Sequence, residues 1–348
     1  MILAGGTGGH IFPALAVAEE LRNMDWNVVW LGTQKGMECH IARDNNFPFE
    51  GIQFSGLRGK GVQAWMLLPF RLLRAFWQSA FIIYKTKPNV ILGFGGYTTF
   101  PAGFVGRLFA KPLVLHEQNS IAGLSNSVLA FFSTKIFTTF PNVIKNAEWI
   151  GNPLRKEFND QNDPSVRFTG RQGALNILVI GGSLGAKFLN KIIPDAMHLL
   201  PVELRPSIRH QGGVNQIDVL KKNYQSVNVK AELTPFIKNI ADAFADADLI
   251  ICRAGASTVT EIAAIGAAAL FIPLPSAVDD HQTKNAMYLV ERNAGWIFSQ
   301  QDLTPQRLAD FIQNINRSLL IRTAIKAKEM QKENAVKIII NTCEKLIK

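Results

Sequence analysis

Two glycine-rich turns hold the groups best placed to do chemistry. Gly5-Gly6-Thr7-Gly8-Gly9-His10 follows the apolar run Met1-Ile2-Leu3-Ala4 and opens a segment of helical period. Gly181-Gly182-Ser183-Leu184-Gly185 follows Asn176-Ile177-Leu178-Val179-Ile180 in the same way. A strand, a glycine turn and a helix together bring bare backbone amides and the positive end of a helix dipole to one point, where a phosphate is held. His10 stands at the start of its helix, directly after the glycine turn, where an imidazole nitrogen can serve as a proton acceptor.

Several named motifs fail. A dinucleotide fingerprint from Gly6 needs glycine where Ile11 stands, and no Gly-x4-Gly-Lys-(Ser/Thr) occurs. Gly181 to Gly185 does fit G-x-S-x-G, which would make Ser183 the nucleophile of an α/β hydrolase. The first copy carries Thr7 in that place, so duplication explains the glycines without a hydrolase, which stays as the alternative. A sugar-nucleotide binder without catalysis is a further alternative. His116-Glu117-Gln118-Asn119-Ser120 lacks the second histidine of a zinc helix, and Asp246-Ala247-Asp248 reads as a helix–strand junction. Cys39, Cys252 and Cys343 are far apart and form no CxxC, so no metal site is expected.

The elements that must position these turns are short apolar strands alternating with longer helical stretches. Asn27-Val28-Val29-Trp30-Leu31, Asn89-Val90-Ile91-Leu92, Pro112-Leu113-Val114-Leu115, Leu249-Ile250-Ile251 and Ala269-Leu270-Phe271-Ile272 are near-continuous apolar runs without period-2 alternation. That pattern predicts buried parallel strands in βαβ units. The fold expected is α/β, two Rossmann-like domains facing a cleft, with a hinge and linker over residues 151–175. Ligands of such sheets lie at the carboxyl ends of the strands, where both glycine turns fall.

The 348 residues carry a net charge of +10, yet only 18% are charged and 47% are hydrophobic. Disorder, collagen and coiled coil are excluded by that balance with 27 glycines and 16 prolines. No apolar run reaches the roughly 18–20 residues of a spanning helix, and no signal-peptide pattern opens the chain. The positive excess is local: residues 51–116 contain eight Lys or Arg and no carboxylate. At its centre, Trp65, Leu68, Phe70, Arg71, Arg74, Phe76 and Trp77 combine aromatic and aliphatic bulk with two arginines. This is the composition of a helix lying in a bilayer interface, attracted to anionic lipid. Nucleic acid is not expected, since the basic segment is aliphatic and has no Lys/Arg run.

Taken with Gly93-Phe94-Gly95-Gly96-Tyr97, His116-Glu117-Gln118-Asn119, Gly151-Asn152-Pro153-Leu154-Arg155, Cys252 to Thr258 with Glu261, and Asp280-His281-Gln282 with Asn285, these turns resemble the bacterial MurG family over residues 2 to about 296. The resemblance implies a GT-B fold that transfers N-acetylglucosamine from UDP-N-acetylglucosamine to the muramoyl 4-hydroxyl of lipid I. The product would be lipid II, made β-1,4 with inversion and without a metal or other cofactor. It implies a peripheral protein of the cytoplasmic face of the bacterial plasma membrane. It divides the chain into an acceptor and membrane-side domain, 1–154 plus about 333–348, and a donor domain, 155–332. It places Arg155, Ser183, Ala256, Ser257 and Thr258 toward the diphosphate, Val259 and Thr260 among the other UDP-N-acetylglucosamine contacts, Glu261 on the ribose and the Ile237 backbone on uracil. Asn119 and Gln282 would hold the sugar, and Thr7, Gly8 and Gly9 the donor, with Gly95, Gly96 and Tyr97 on the acceptor side. His10 is the expected general base and Glu117 the runner-up.

Overall fold

A computed structural model of the chain describes residues 1–54, 56, 66–182 and 185–347. It divides into two units, Met1–Arg155 with Lys332–Lys348, and Lys156–Gln331.

Among the described residues, the first unit has a sheet of β1 (Ile2–Leu3), β2 (Trp30–Thr33), β3 (Phe49–Ile52), β4 (Ile91–Gly93), β5 (Leu113–Glu117), β6 (Lys135–Thr138) and β7 (Glu148–Trp149). All its pairings are parallel, in the order β3-β2-β1-β4-β5-β6-β7. Successive strand residues enter opposite cores: Ile2, Trp30, Leu92 and Val114 on one face, Leu3, Leu31, Ile91, Leu113 and Leu115 on the other. Both faces are buried, which is why the sequence shows continuous apolar runs rather than alternation. The helix Ala335–Ile347 closes one face with Ala335, Ile339, Ile340 and Cys343.

The second unit repeats the plan with β8 (Asn176–Ile180), β9 (Ser207–Gln211), β10 (Glu232–Thr234), β11 (Leu249–Cys252), β12 (Ala269–Phe271) and β13 (Trp296–Ile297). These strands are also parallel, in the order β10-β9-β8-β11-β12-β13. Counted within each unit, both sheets therefore contain the doubly wound order 3-2-1-4-5-6, to which the first adds a seventh edge strand, and they reverse direction between β1 and β4 and between β8 and β11.

Two expectations change. The strand read over 27–31 is Trp30–Thr33, because pairing begins where Ile2 stands beside Trp30 and Trp30 N–H donates to the Pro48 carbonyl. Much of the supposed linker 151–175 is fastened to the second unit. Arg167 donates to the carbonyls of Ala245, Ile265 and Gly266, and Arg171 to the Asp248 carboxylate at 2.8 Å. Arg167 thus closes the carbonyl ends of two helices, Ile240–Asp246 and Ala256–Ile265.

Candidate functional site

In each unit the chemistry-bearing residues collect at the carboxyl ends of the strands flanking the reversal point, where βα turns leave the sheet.

In the first unit, β1 runs into the glycine turn and then the helix Gly8–Asn23, whose N-cap Thr7 makes no side-chain capping bond. The amide of Gly6 donates to a carboxylate oxygen of Glu38 at 3.3 Å, and that fully buried carboxylate also accepts from Thr33 N–H and Oγ1 at 2.9 and 2.7 Å. Glu38 thus shapes the turn, a role that sequence reading missed because the residue lies 32 positions away. The turn after β4 lies against the same place. Gly95 and Gly96 have φ of +96° and +88°, and a Cβ on Gly96 would collide with the Gly5 carbonyl. A Cβ on Gly95 would lie 3.0 Å from Cε1 and Nδ1 of His10, so these glycines let backbone approach the imidazole. Tyr97, half-buried, stacks its ring obliquely near Phe54 at 6.4 Å.

The end of β5 supplies a dense polar cluster. His10 Nδ1 lies 2.7 Å from Gln118 Oε1, while Gln118 Nε2 reaches His116 Nδ1 and the His116 carbonyl at 3.0 and 3.1 Å. His116 Nε2 lies 2.9 Å from the Gly151 carbonyl. Burial pushes the His116 imidazole down to about 4, opposed by the Gly151 hydrogen bond and aided by nearby His10, so this ring is neutral. Glu117 is buried at 1% exposure, and its carboxylate accepts from Asn119 N–H, Gly123 N–H and Asn126 Nδ2 at 2.9, 3.1 and 2.9 Å. Those donors occupy its lone pairs and fix the Asn119 loop. His10, by contrast, is half-buried and reachable. Arg155 holds its guanidinium 5.5 Å from the centre of the Phe12 ring, on the first turns of the His10 helix.

In the second unit, the turn after β8 begins with Gly181 and Gly182, and Ser183 lies outside the described residues. The carbonyl of Gly182 accepts from Gln211 Nε2 at 3.0 Å, which also donates to Pro235 at 3.2 Å and ties the turn to the segment carrying the buried Ile237. After β11, Gly255 N-caps the helix Ala256–Ile265, which has no side-chain cap and no acid in its first turn. Its leading amides lack intrahelical acceptors, and among the described residues no side chain caps them. The Ser257 hydroxyl is buried with no hydrogen-bond partner among the described residues.

Thr258 and Glu261 are half-buried on this helix. Val259 is fully buried in the core, and the Thr260 hydroxyl donates back to the Ala256 and Ser257 carbonyls. Gln282, on the helix His281–Val290, accepts from Leu274 N–H at 2.9 Å, which folds the 273–280 loop against that helix. Arg253 donates to the carbonyls of Ile272 and Pro273 and to Gln300 Oε1, while Asn285 Nδ2 donates to the Ala254 carbonyl. These two residues brace the turn from behind. Asp248 is a buried structural acid at the opposite end of β11, held by Arg171 and Arg317 at 2.8 and 3.0 Å. Among the described residues no group of three His, Cys, Asp or Glu is placed to hold a metal ion.

Part of the expected membrane face stands out from the first unit. On the helix Leu68–Thr86, Phe70 and Trp77 are each 71% exposed, and Leu73, Phe81 and Tyr84 follow at helical spacing. Arg74 is exposed, Arg71 and Leu68 are half-buried, and Trp65 lies outside the described residues. Phe76 is corrected to an inward role: its ring packs on Phe100 and Phe104 at 5.9 and 5.6 Å. Phe104 in turn meets Phe132, beside Phe131, which is 88% exposed. No described helix is long and apolar enough to cross a membrane.

Comparison with known proteins agrees with this duplicated plan. Residues 1–138 match the glycosyltransferase family 28 N-terminal domain, and residues 176–342 the family 28 C-terminal domain. The chain is 56% identical to the UDP-N-acetylglucosamine–N-acetylmuramyl-(pentapeptide) pyrophosphoryl-undecaprenol N-acetylglucosamine transferase of Polaromonas sp. (strain JS666), over 99% of this chain and 91% of the relative. The protein of the same name from Paracidovorax citrulli (strain AAC00-1) is also 56% identical, over 99% and 98%. The crystal structure of Acinetobacter baumannii MurG superposes with a TM-score of 0.86 at 39% identity, covering 99% of both chains.

Proposed function

The chain belongs to the family of UDP-N-acetylglucosamine–N-acetylmuramyl-(pentapeptide) pyrophosphoryl-undecaprenol N-acetylglucosamine transferases, of the two-domain GT-B type, and from that membership we propose how its residues divide the reaction. It is an N-acetylglucosamine transferase of peptidoglycan synthesis, which sets aside the Ser183 hydrolase and the non-catalytic binder. UDP-N-acetylglucosamine is the donor and lipid I the acceptor.

The second unit takes the nucleotide. The observation that carries this is the uncapped N-terminus of helix Ala256–Ile265 with the buried, unpartnered Ser257 hydroxyl beside it. Amides of Ala256, Ser257 and Thr258 meet the diphosphate as charge grows on the leaving group. Arg155 and Ser183 add to that anion's stabilisation, Glu261 accepts the ribose hydroxyls, and the Ile237 backbone reads uracil. The amides of Gln282 and Asn119 hold the sugar, because each can donate and accept.

The first unit takes the acceptor, with Gly95, Gly96 and Tyr97 beside it. His10 Nε2 removes the proton of the muramoyl 4-hydroxyl as that oxygen attacks the sugar carbon, and UDP departs from the opposite face, giving a β-1,4 link with inversion. Glu117 orders the Asn119 loop rather than acting as base, since its oxygens are committed to three donors.

The apolar stripe Phe70, Leu73, Trp77, Phe81 with Arg71 and Arg74 rests on the cytoplasmic membrane face, drawn by anionic lipid, as a lipid-anchored acceptor requires. The test is transfer from radiolabelled UDP-N-acetylglucosamine to a short-chain lipid I analogue. A labelled disaccharide product sensitive to a β-N-acetylglucosaminidase supports the reading, and free labelled sugar without acceptor product overturns it.

A further inference from the structure

We propose that Gln118 and His116 are positioning residues that form a one-directional hydrogen-bond chain, fixing the proton of His10 on Nδ1 and leaving the lone pair on Nε2. The inference rests on the assignment of His10 as the base. Its starting point is a group that can only accept. The Gly151 carbonyl, 2.9 Å from His116 Nε2, obliges that nitrogen to carry a proton. His116 is buried and neutral, so its other nitrogen, Nδ1, is an acceptor. Gln118 Nε2 donates to it at 3.0 Å and, with its second proton, to the His116 carbonyl at 3.1 Å. Two acceptors therefore orient one amide. Turned over, it would set its oxygen against the carbonyl oxygen of His116. In the observed orientation Oε1 faces His10 Nδ1 at 2.7 Å, a distance that requires an N–H there.

The chain spans Gly151, His116, Gln118 and His10, contributed by three separate places in the sequence. Gln118 and His116 are buried at 0% and 2% exposure, so no water competes for their bonds. Without such a partner a neutral imidazole favours the tautomer protonated on Nε2, which cannot act as a base through that atom. When His10 takes the acceptor proton on Nε2, the imidazolium formed still donates through Nδ1–H to Gln118 Oε1. The proton then passes to solvent and the neutral tautomer returns.

Side-chain 15N-labelled histidine and long-range 1H–15N correlation read the tautomer directly, independent of activity. Wild type should show His10 protonated on Nδ1. In Gln118→Leu the proton should move to Nε2, with kcat falling about ten- to hundredfold and KM for UDP-N-acetylglucosamine within about twofold; loss of a carboxylate orienter can cost up to roughly 10⁴-fold. His116→Phe keeps the backbone acceptor of the amide and should shift both readouts in the same direction but less, and it serves if the Leu variant fails to fold. An Nε2–H tautomer in wild type overturns the proposal, as does a fall in kcat with the tautomer unmoved. A tautomer switch with unchanged kcat upholds the chain but overturns His10 as the base.

Discussion

The two units share a strand order and carry their chemistry on turns at the ends of the strands flanking the reversal, after β1 in the first and after β11 in the second, yet those turns end in different chemistry. In the first, the helix Gly8–Asn23 carries His10 in its first turn, and the surroundings are imidazole, amide and carboxylate groups tightly bonded to one another. In the second, the helix Ala256–Ile265 begins with small residues, no acid and no cap, and leaves a buried hydroxyl unpartnered. One scaffold therefore offers either a proton acceptor or an anion cradle, and the residues just past the strand ends select between them. The buried histidines repeat the contrast. His116 sits in a chain of three partners, whereas His210 bonds Tyr224 at 3.0 Å and has no described partner on Nε2.

The sharpest way to break this division is His10→Ala. Turnover should fall by roughly 10²–10⁴-fold, while UDP still raises the melting temperature as in wild type. A near-normal rate would remove the first unit from the chemistry.

Acid should separate the two histidines next. Burial lowers His116 to about 4 and His210 to about 3, so in this range the unfolded chain binds more protons than the native one. Stability is then fully present above about pH 6.5 and is lost as pH falls toward 4, by about 3 kcal/mol for His116. Denaturant midpoints at pH 7 and pH 4.5 measure this. His210→Phe should relieve part of the loss and leave transfer intact, whereas His116→Phe should impair transfer. Equal effects on transfer would erase the distinction.

On the other side, Ser257→Ala and Glu261→Ala should each weaken UDP binding by about 1–2 kcal/mol in calorimetry, with kcat at saturating donor changed little. If they instead lower kcat alone, the anion cradle is misplaced.

The smallest effect concerns the apolar and basic surface of the first unit along the helix Leu68–Thr86. Reversing Arg71 and Arg74 to Glu should reduce cosedimentation with anionic vesicles, on the order of 1 kcal/mol per basic residue removed, and spare activity on a soluble acceptor. Identical binding to neutral and anionic vesicles would discount the electrostatic part.

The parallel βαβ character of both units, the placement of both glycine turns at strand ends and the helix start after Gly255 were legible in the amino-acid order. Each depends on neighbouring residues, through apolar runs, glycine freedom and helix starts. What the order left open was every partnership across the sheet. Gln118 meets His10 over 108 positions, and Glu38 meets Gly6 over 32, because strand register sets those distances and local preference cannot. The helix Leu68–Thr86 shows the same limit. It is apolar nearly all round, so sequence could not tell that Phe76 turns to Phe100 and Phe104 while its neighbour Trp77 turns to solvent. Packing against the sheet decided that, and with it which apolar side chains remain to meet a membrane.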